Sequence, residues 1–405
     1  LPDPKIEAVE GTGMAPAYRG IAYVVIEDLD LSAYGNRVPQ FSFEVVRPAQ
    51  GEGAAKSPGL SSVIPGVCLI PGTGEYALAT TPVHYSKGLA KQRSANVNTI
   101  TGKTDFLSSL EQLTDEVPTC GTVSLVASWF ASDLRCGSCD IRPKVEQKTV
   151  DGFGMPWRVS GITRTHADEI QKLNGRSVYG GTPTDQSIIE AIAALKAAGQ
   201  EVTFYPFILM DQLPGNTLPD PWTGGIGQPA LPWRGRITLN QAPGRPGSAD
   251  TTAAVDAEVA AFFGACQPSN FSIAGQKVNY FGAQEWSYRR FILHYAHLCL
   301  AAGGVAAFCI GSEMRSLTQV RGAVNSFPTV EALRVLAAEV KAILGPQTKI
   351  TYAADWSEYF GYHVGDDTFF HLDPLWADPA IDFIGIDNYM PVSDWRDGAA
   401  HADAA

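Results

Sequence analysis

The stretch Val305-Ala-Ala-Phe-Cys-Ile-Gly-Ser-Glu-Met314 constrains the fold more than any other. A short apolar run stops abruptly at a small residue, a hydroxyl and a carboxylate. A parallel strand covered on both faces reads as such a run. Barrel enzymes keep their reacting groups at the C-terminal ends of their strands. The run therefore predicts a strand that delivers Glu313 to the mouth of a barrel. The rest of the chain must then supply the other strands and helices.

From about residue 120 it does so in a repeating rhythm. Thr122–Phe130 reads as a strand running toward Asp133 and Arg135. A long excursion follows, with Cys136-Gly-Ser-Cys139, Trp157 and Arg164. Val178–Thr182 reads as a short strand, and Thr184 as the cap of a helix over 185–198. Val202–Asp211 is a strand ending in a carboxylate. Residues 212–270 form an insertion rich in Pro and Gly, with Trp222, Trp233 and a short helix around 255–263. A loop of that length is more often functional or a subunit contact than idle. Apolar residues at helical spacing predict further helices over 104–113, 286–302 and 329–344. Ile350–Trp356 and Ala380–Tyr389 complete the set of strands.

Strands alternating with helices mean βα units and a parallel sheet. The expected fold is α/β, a (β/α)8 TIM-barrel-like domain with six of its eight strands in the chain. A doubly wound open sheet is the alternative. A dinucleotide-binding version of it is disfavoured, because no Gly-rich phosphate loop follows the first strand. The start at Leu1 without Met and the Ala-rich end His401–Ala405 suggest a piece of a longer polypeptide, with strand seven beyond it.

The first 80 residues are different. Tyr18–Asp28 holds a strand-like run, Gly35-Asn36 a turn signal, and Gln40–Val46 an alternating half-buried strand. Residues 1–50 thus read as a β segment too small for a core of its own, which must pack on other chain or another subunit. Residues 51–80 read as a Pro/Gly-rich connector, and 81–405 as the barrel.

Composition narrows the function. The net charge is −12 and only 18% of residues are charged, a poor basis for binding nucleic acid through its phosphates. No apolar run approaches the ~20 residues of a membrane span, and no signal-peptide pattern opens the chain. Seven cysteines are scattered, and Cys136/Cys139 is the one close pair. No second pair or nearby His pair accompanies it, so it reads as a structural loop, reduced or disulfide-bonded, and no metal or cofactor is expected.

Nearly every strand ends in a carboxylate: Asp133, Asp211, Glu313, Asp355, Asp387. Trp129, Trp356, Tyr389 and Trp395 lie beside them. Aromatic faces stack on sugar rings, and glycoside hydrolysis uses two carboxylates, so carbohydrate is the expected ligand. Any single Asp here could equally cap a helix or pair with a loop Arg.

Two resemblances add to this reading. The phrase from Pro16 to Val45, with Tyr18-Arg-Gly-Ile-Ala-Tyr-Val-Val, Asp28-Leu-Asp-Leu and Gly35-Asn-Arg-Val-Pro-Gln-Phe-Ser-Phe-Glu-Val, resembles baseplate-hub and tail-tip proteins of tailed phages and gene transfer agents. Ile310-Gly-Ser-Glu-Met, Tyr352-Ala-Ala-Asp-Trp-Ser-Glu-Tyr and Asp382-Phe-Ile-Gly-Ile-Asp-Asn-Tyr-Met-Pro resemble the fourth, fifth and sixth strand motifs of mannanase-like (β/α)8 glycoside hydrolases. Together they resemble the barrel-like domain of the large baseplate, or megatron, proteins.

The resemblance implies that Glu313 is the acid/base and that Asp355, Asp387 and Tyr389 line the cleft. Asp211, Trp356 and Trp129 join them as substrate-binding candidates from their own places near strand ends. The family nucleophile lies on strand seven, for which this chain offers no residue. The family usually has Asn before the acid/base, to bind the sugar 2-hydroxyl, where this chain has the shorter Ser312. The implied setting is the tail baseplate of a virion-like particle assembled in the bacterial cytoplasm. The implied partners are other hub proteins, further copies of the chain (a trimer) and cell-envelope polysaccharide. The alternative is a free-standing retaining glycosidase.

Overall fold

The computed structural model describes residues 4–14, 24, 26, 29–32, 37–43, 60–72, 74–86, 92–391 and 400. The chain divides into two compact units, residues 34–387 and residues 1–33 with 388–405.

The larger unit is built on one sheet. Its parallel strands are β1 (Gly66–Leu69), β2 (Thr122–Ala131), β3 (Glu201–Met210), β4 (Ala307–Ser312), β5 (Lys349–Asp355) and β6 (Gly385–Asp387). Each pairs in parallel with the next in sequence, as in Leu69 opposite Leu125 and Asp355 opposite Asp387. A doubly wound sheet reverses its strand order at a switch point. This one never does, so the open-sheet alternative is overturned and the order is that of a barrel. The sheet also curls. Tyr205 of β3 bonds Asp387 of β6 at 2.5 Å, although three strand spacings would put those strands about 14 Å apart if the sheet were flat.

The helices lie between the strands: α1 (Asp105–Glu116), α2 (Asp185–Ala197), α3 (Ala254–Phe263), α4 (Tyr288–Ala301) and α5 (Pro328–Leu344). Thr104 caps α1 by accepting from the Leu107 amide, and Ser287 caps α4 by accepting from Arg290. Thr184 stands at the cap position of α2 but exchanges its hydroxyl bonds with the backbone of Arg158 instead. Along β3, Val202, Phe204, Ile208 and Met210 join the core, and Phe204 packs on Tyr295 of α4. Tyr205 and Phe207 alternate onto the concave face.

Two strand expectations are corrected. Val178–Thr182 forms no strand; the Thr182 hydroxyl donates to the Ser128 carbonyl and its amide to the Lys144 carbonyl. The missing first strand is Gly66–Leu69, inside the stretch expected as connector. It lies so close to β2 that a Cβ at Gly66 would collide with the Thr122 side chain. Only three side chains and flanking prolines mark it, which is why it reads as linker.

The excursion between β2 and α2 is locked onto the β1–α1 loop by a buried ionic network. Arg164 donates to both carboxylate oxygens of Glu75, to Asp151 Oδ1 at 2.9 Å and to the Tyr76 hydroxyl at 3.0 Å. Glu75 also accepts from the Glu146 amide at 2.7 Å. Burial pushes the Glu75 carboxyl up, to about 7, and the Arg164 guanidinium opposes this. The donor geometry is that of an ion pair.

In the smaller unit, Pro4–Glu10 is a helix whose Glu7 side chain accepts from the Gly13 amide at 2.9 Å. The expected strand in Tyr18–Asp28 lies outside the described residues, apart from Val24 and Ile26. In the larger unit, of the expected strand Gln40–Val46, residues 40–43 have no regular structure and 44–46 lie outside the described residues.

Candidate functional site

The site starts from an irregularity in β4. The pairing of β4 with β5 shifts register between Cys309 and Ser312. The Tyr288 hydroxyl, donating to the Ile310 carbonyl at 2.6 Å, fills the space where a Cβ on Gly311 would sit. A bulge re-aims the residues that follow it. Glu313 follows, with φ 48°, a left-handed conformation that costs a non-glycine residue of order 1–3 kcal/mol. Strand β5 pins it there. The Glu313 amide donates to the Ala353 carbonyl and the Met314 amide to the Tyr352 hydroxyl, both at 2.8 Å.

Glu313 is buried, and its carboxylate is met by the insertion. Its Oε2 accepts from Trp233 Nε1 at 2.8 Å and pairs with Arg234 Nη2 at 2.9 Å. Arg234 is itself clamped. It donates to the Ser312 carbonyl and hydroxyl oxygens, and its guanidinium lies 3.7 Å from the Phe207 ring centre. Ser312 therefore serves Arg234. Trp233 remains 38% exposed, an aromatic face beside the carboxylate.

Asp387 completes the cluster. Its Oδ2 accepts from the Tyr205 hydroxyl at 2.5 Å and lies 3.8 Å from Arg234 Nη2. Burial pushes the Asp387 carboxyl up to about 6. The Glu313 charge adds to the rise, while the Tyr205 hydrogen bond and Arg234 oppose it. Two carboxylates, a guanidinium, a phenol and an indole thus meet at the C-terminal ends of β4 and β6, the end of a barrel where enzymes of that fold carry their reacting groups.

The structure brings together two of the residues singled out in sequence, Glu313 and Asp387. The others go elsewhere. Asp355 caps the turn Trp356–Glu358, accepting from the amide and hydroxyl of Ser357. Trp356 opens that turn half-buried. Asp211 is buried against Lys144, at 2.8 Å, and accepts from the Gln171 amide. Asp133 pairs with Arg135 and accepts from Gln228. Trp129 is fully buried on the helix side of β2, among Trp286, Phe291, His294 and Tyr295. It is a core residue and offers no face to a ligand. Tyr389 lies in the smaller unit, and Trp395 lies outside the described residues. Cys136 and Cys139 are free thiols, both pushed up by burial, Cys139 to about 12.

Sequence reading missed Trp233, Arg234 and Tyr205. For the first two the only signal was an adjacent aromatic and cation in a Pro/Gly-rich insertion. For Tyr205 it was a hydroxyl on the more polar face of an otherwise apolar strand.

Behind Glu313 lies a second buried group. Glu358 accepts from the Thr318 hydroxyl at 2.6 Å, the Asp355 amide at 2.8 Å and the Tyr352 hydroxyl at 3.3 Å. His371 Nε2 is 4.0 Å away. Burial pushes Glu358 up to about 7 and His371 down to about 4, from ordinary values of 4.5 and 6.5. Between those ordinary values the folded pair holds one proton, on Glu358. The unfolded pair also holds one, on His371, so the pair adds no pH dependence there. Glu358→Gln removes this balance. The unfolded state then binds a proton that the folded state does not, and stability climbs as pH rises from about 4 to 6.5, by on the order of 2–3 kcal/mol. Urea denaturation of both proteins across that range checks the slope. Parallel curves would refute the pairing.

Residues 286–405 match the family model described as the GTA TIM-barrel-like domain. No curated protein matches the chain. Among solved structures the chain is similar to a GH113 β-1,4-mannanase, at 16% identity and TM-score 0.36, over 71% of this chain and 58% of that one. A complex structure of a GH113 β-1,4-mannanase gives 16% and 0.35 over the same shares. The GH113 β-mannanase AaManA from Alicyclobacillus acidocaldarius, in complex with ManMIm, gives 16% and 0.35 over 70% of this chain and 55% of that one. The chain thus spans less than two thirds of the length of these mannanases. The strand order, with the family match over residues 286–405, makes the larger unit an incomplete TIM-barrel-like domain.

Proposed function

We propose that this chain is a baseplate or tail-tip component of a phage-like particle, whose barrel module engages cell-envelope glycan by binding it or cutting it. The observation that carries the glycan part is the carboxylate pair Glu313 and Asp387 beside the exposed face of Trp233. Paired carboxylates serve glycosidic chemistry, and an indole face serves sugar stacking. The particle part is supported by the Pro16–Val45 phrase and by the GTA description of the matching family. In this reading the partners are other hub proteins and further copies of the chain, as a trimer.

The test is retention of the full-length protein on peptidoglycan, capsule and lipopolysaccharide preparations. Retention on one of them is expected. Trp233→Ala should weaken it about tenfold, the loss of one stacking contact. Retention on none, with no release of sugar, would sink the glycan reading. Size-exclusion chromatography with hub proteins tests the other half. A monomer that ignores them and cleaves soluble β-linked polysaccharide would favour a free-standing glycosidase.

A further inference from the structure

The two carboxylates of the site are not equivalent. The Glu313 side chain is 6% exposed, and one of its oxygens takes both the Trp233 N–H and the Arg234 guanidinium. The Asp387 side chain is 23% exposed, and the same guanidinium nitrogen stands 3.8 Å away, beyond hydrogen-bond reach. Arg234 cannot swing from one to the other without breaking its three hydrogen bonds to Ser312 and leaving the Phe207 ring. A charge-assisted bond at 2.9 Å favours the ionised partner strongly, and an approach at 3.8 Å much less so.

We propose that Arg234 is the positioning residue of this site: it takes Glu313 as its counter-ion and so leaves Asp387, held by Tyr205, as the carboxyl that carries the pair's exchangeable proton. This rests on the glycan reading above and deepens it. A glycan seated against Trp233 meets its proton donor at Asp387, and Glu313 acts as the fixed anion that orients Arg234 and Trp233.

The groups around Asp387 agree with this division. Tyr205 faces it from β3, Cys309 and Glu313 from β4 and its end, Arg234 from the insertion, and Cys68 from β1, with Asp355 as its register neighbour on β5. Arg234 is the one cation among them. Its distance to Glu313, shorter than to Asp387, decides which carboxyl is left to titrate.

The test needs no turnover, so its failure is distinct from failure of the glycan reading. The full-length protein, labelled with carbon-13 at the Asp side-chain carboxyl, is titrated by NMR, and Asp387→Asn identifies the Asp387 signal. That signal should titrate near 6 in the wild-type protein. Arg234→Met should move its midpoint up by about one pH unit, because the opposing cation is gone. Arg234→Lys should restore most of the wild-type value. Glu313→Gln should move the midpoint down, because it removes the neighbouring anion and leaves the nearby guanidinium charge uncompensated. Should Arg234→Met not fold, Tyr205→Phe is the second variant. It removes a donor to the charged form and should also move the midpoint up. An Asp387 signal that titrates like an ordinary surface carboxyl would overturn the proposal. So would Arg234→Met and Glu313→Gln shifting it in the same direction.

Discussion

On the proposed glycan reading, Glu313→Gln is expected to lower any glycan hydrolysis by the full-length protein roughly a thousandfold or more, and to leave retention on the glycan within a few fold. Glutamine fills the same space and still accepts from Trp233 Nε1, so the aromatic face stays in place. It cannot neutralise Arg234, which stands 2.9 Å away and is clamped to Ser312. Charge is what the substitution removes, and charge at a fixed position is what stabilises a transition state that shape alone does not. Sugar release from the glycan that retains the wild-type protein is the measurement, with circular dichroism to show that the variant folds. Survival of activity in Glu313→Gln would reduce this residue to an anchor for the insertion.

The second large effect concerns stability. Arg164→Met leaves Glu75 fully buried, with its two guanidinium bonds gone and only the Glu146 amide facing it. Breaking one side of a buried ion pair costs about 3–5 kcal/mol. The double variant Glu75→Leu/Arg164→Met should cost clearly less than the single one, because an apolar pair replaces an uncompensated charge. The pH dependence has a definite sign. With Arg164 gone, burial outweighs the remaining Glu146 amide bond, folding takes up a proton, and stability falls as pH rises from the ordinary carboxylate range toward neutrality and above. Chemical denaturation of wild type, single and double variants settles it. Equal costs for single and double would mean that the pair is not coupled.

Much of this fold could be read from residue order. Strands β2 to β5 are apolar runs of ordinary length, and α1, α2, α4 and α5 carry apolar residues at helical spacing with breakers at their ends. What failed is what depends on distant chain. Strand β1 has four residues and exists because Gly66 lets it lie against Thr122. Trp129 sits in a strand apolar on both faces, so alternation alone does not say which side it takes. Asp211 looks like every other strand-end carboxylate until Lys144, 67 residues away, is found against it. Glu313 was legible as a strand-end carboxylate, but the Trp233 that caps it comes from 80 residues upstream, in a segment without periodicity. Pattern reports local structure well. It does not report which loop folds back over a strand end.

The uninterrupted order of the six strands also bears on how the protein comes into being on the ribosome. Each strand finds its partner in the one just made, so the sheet can zip up vectorially as the chain emerges. The polar cluster cannot. Arg234 is synthesised before Glu313 and well before Asp387, roughly 150 residues later, a wait of about 8–30 s at ~5–20 residues per second. Until Glu313 is made, about 80 residues on, the Trp233–Arg234 arm lacks its direct carboxylate partner. Five of the six parallel strands precede Asp387, so the cluster closes only when β6 follows them.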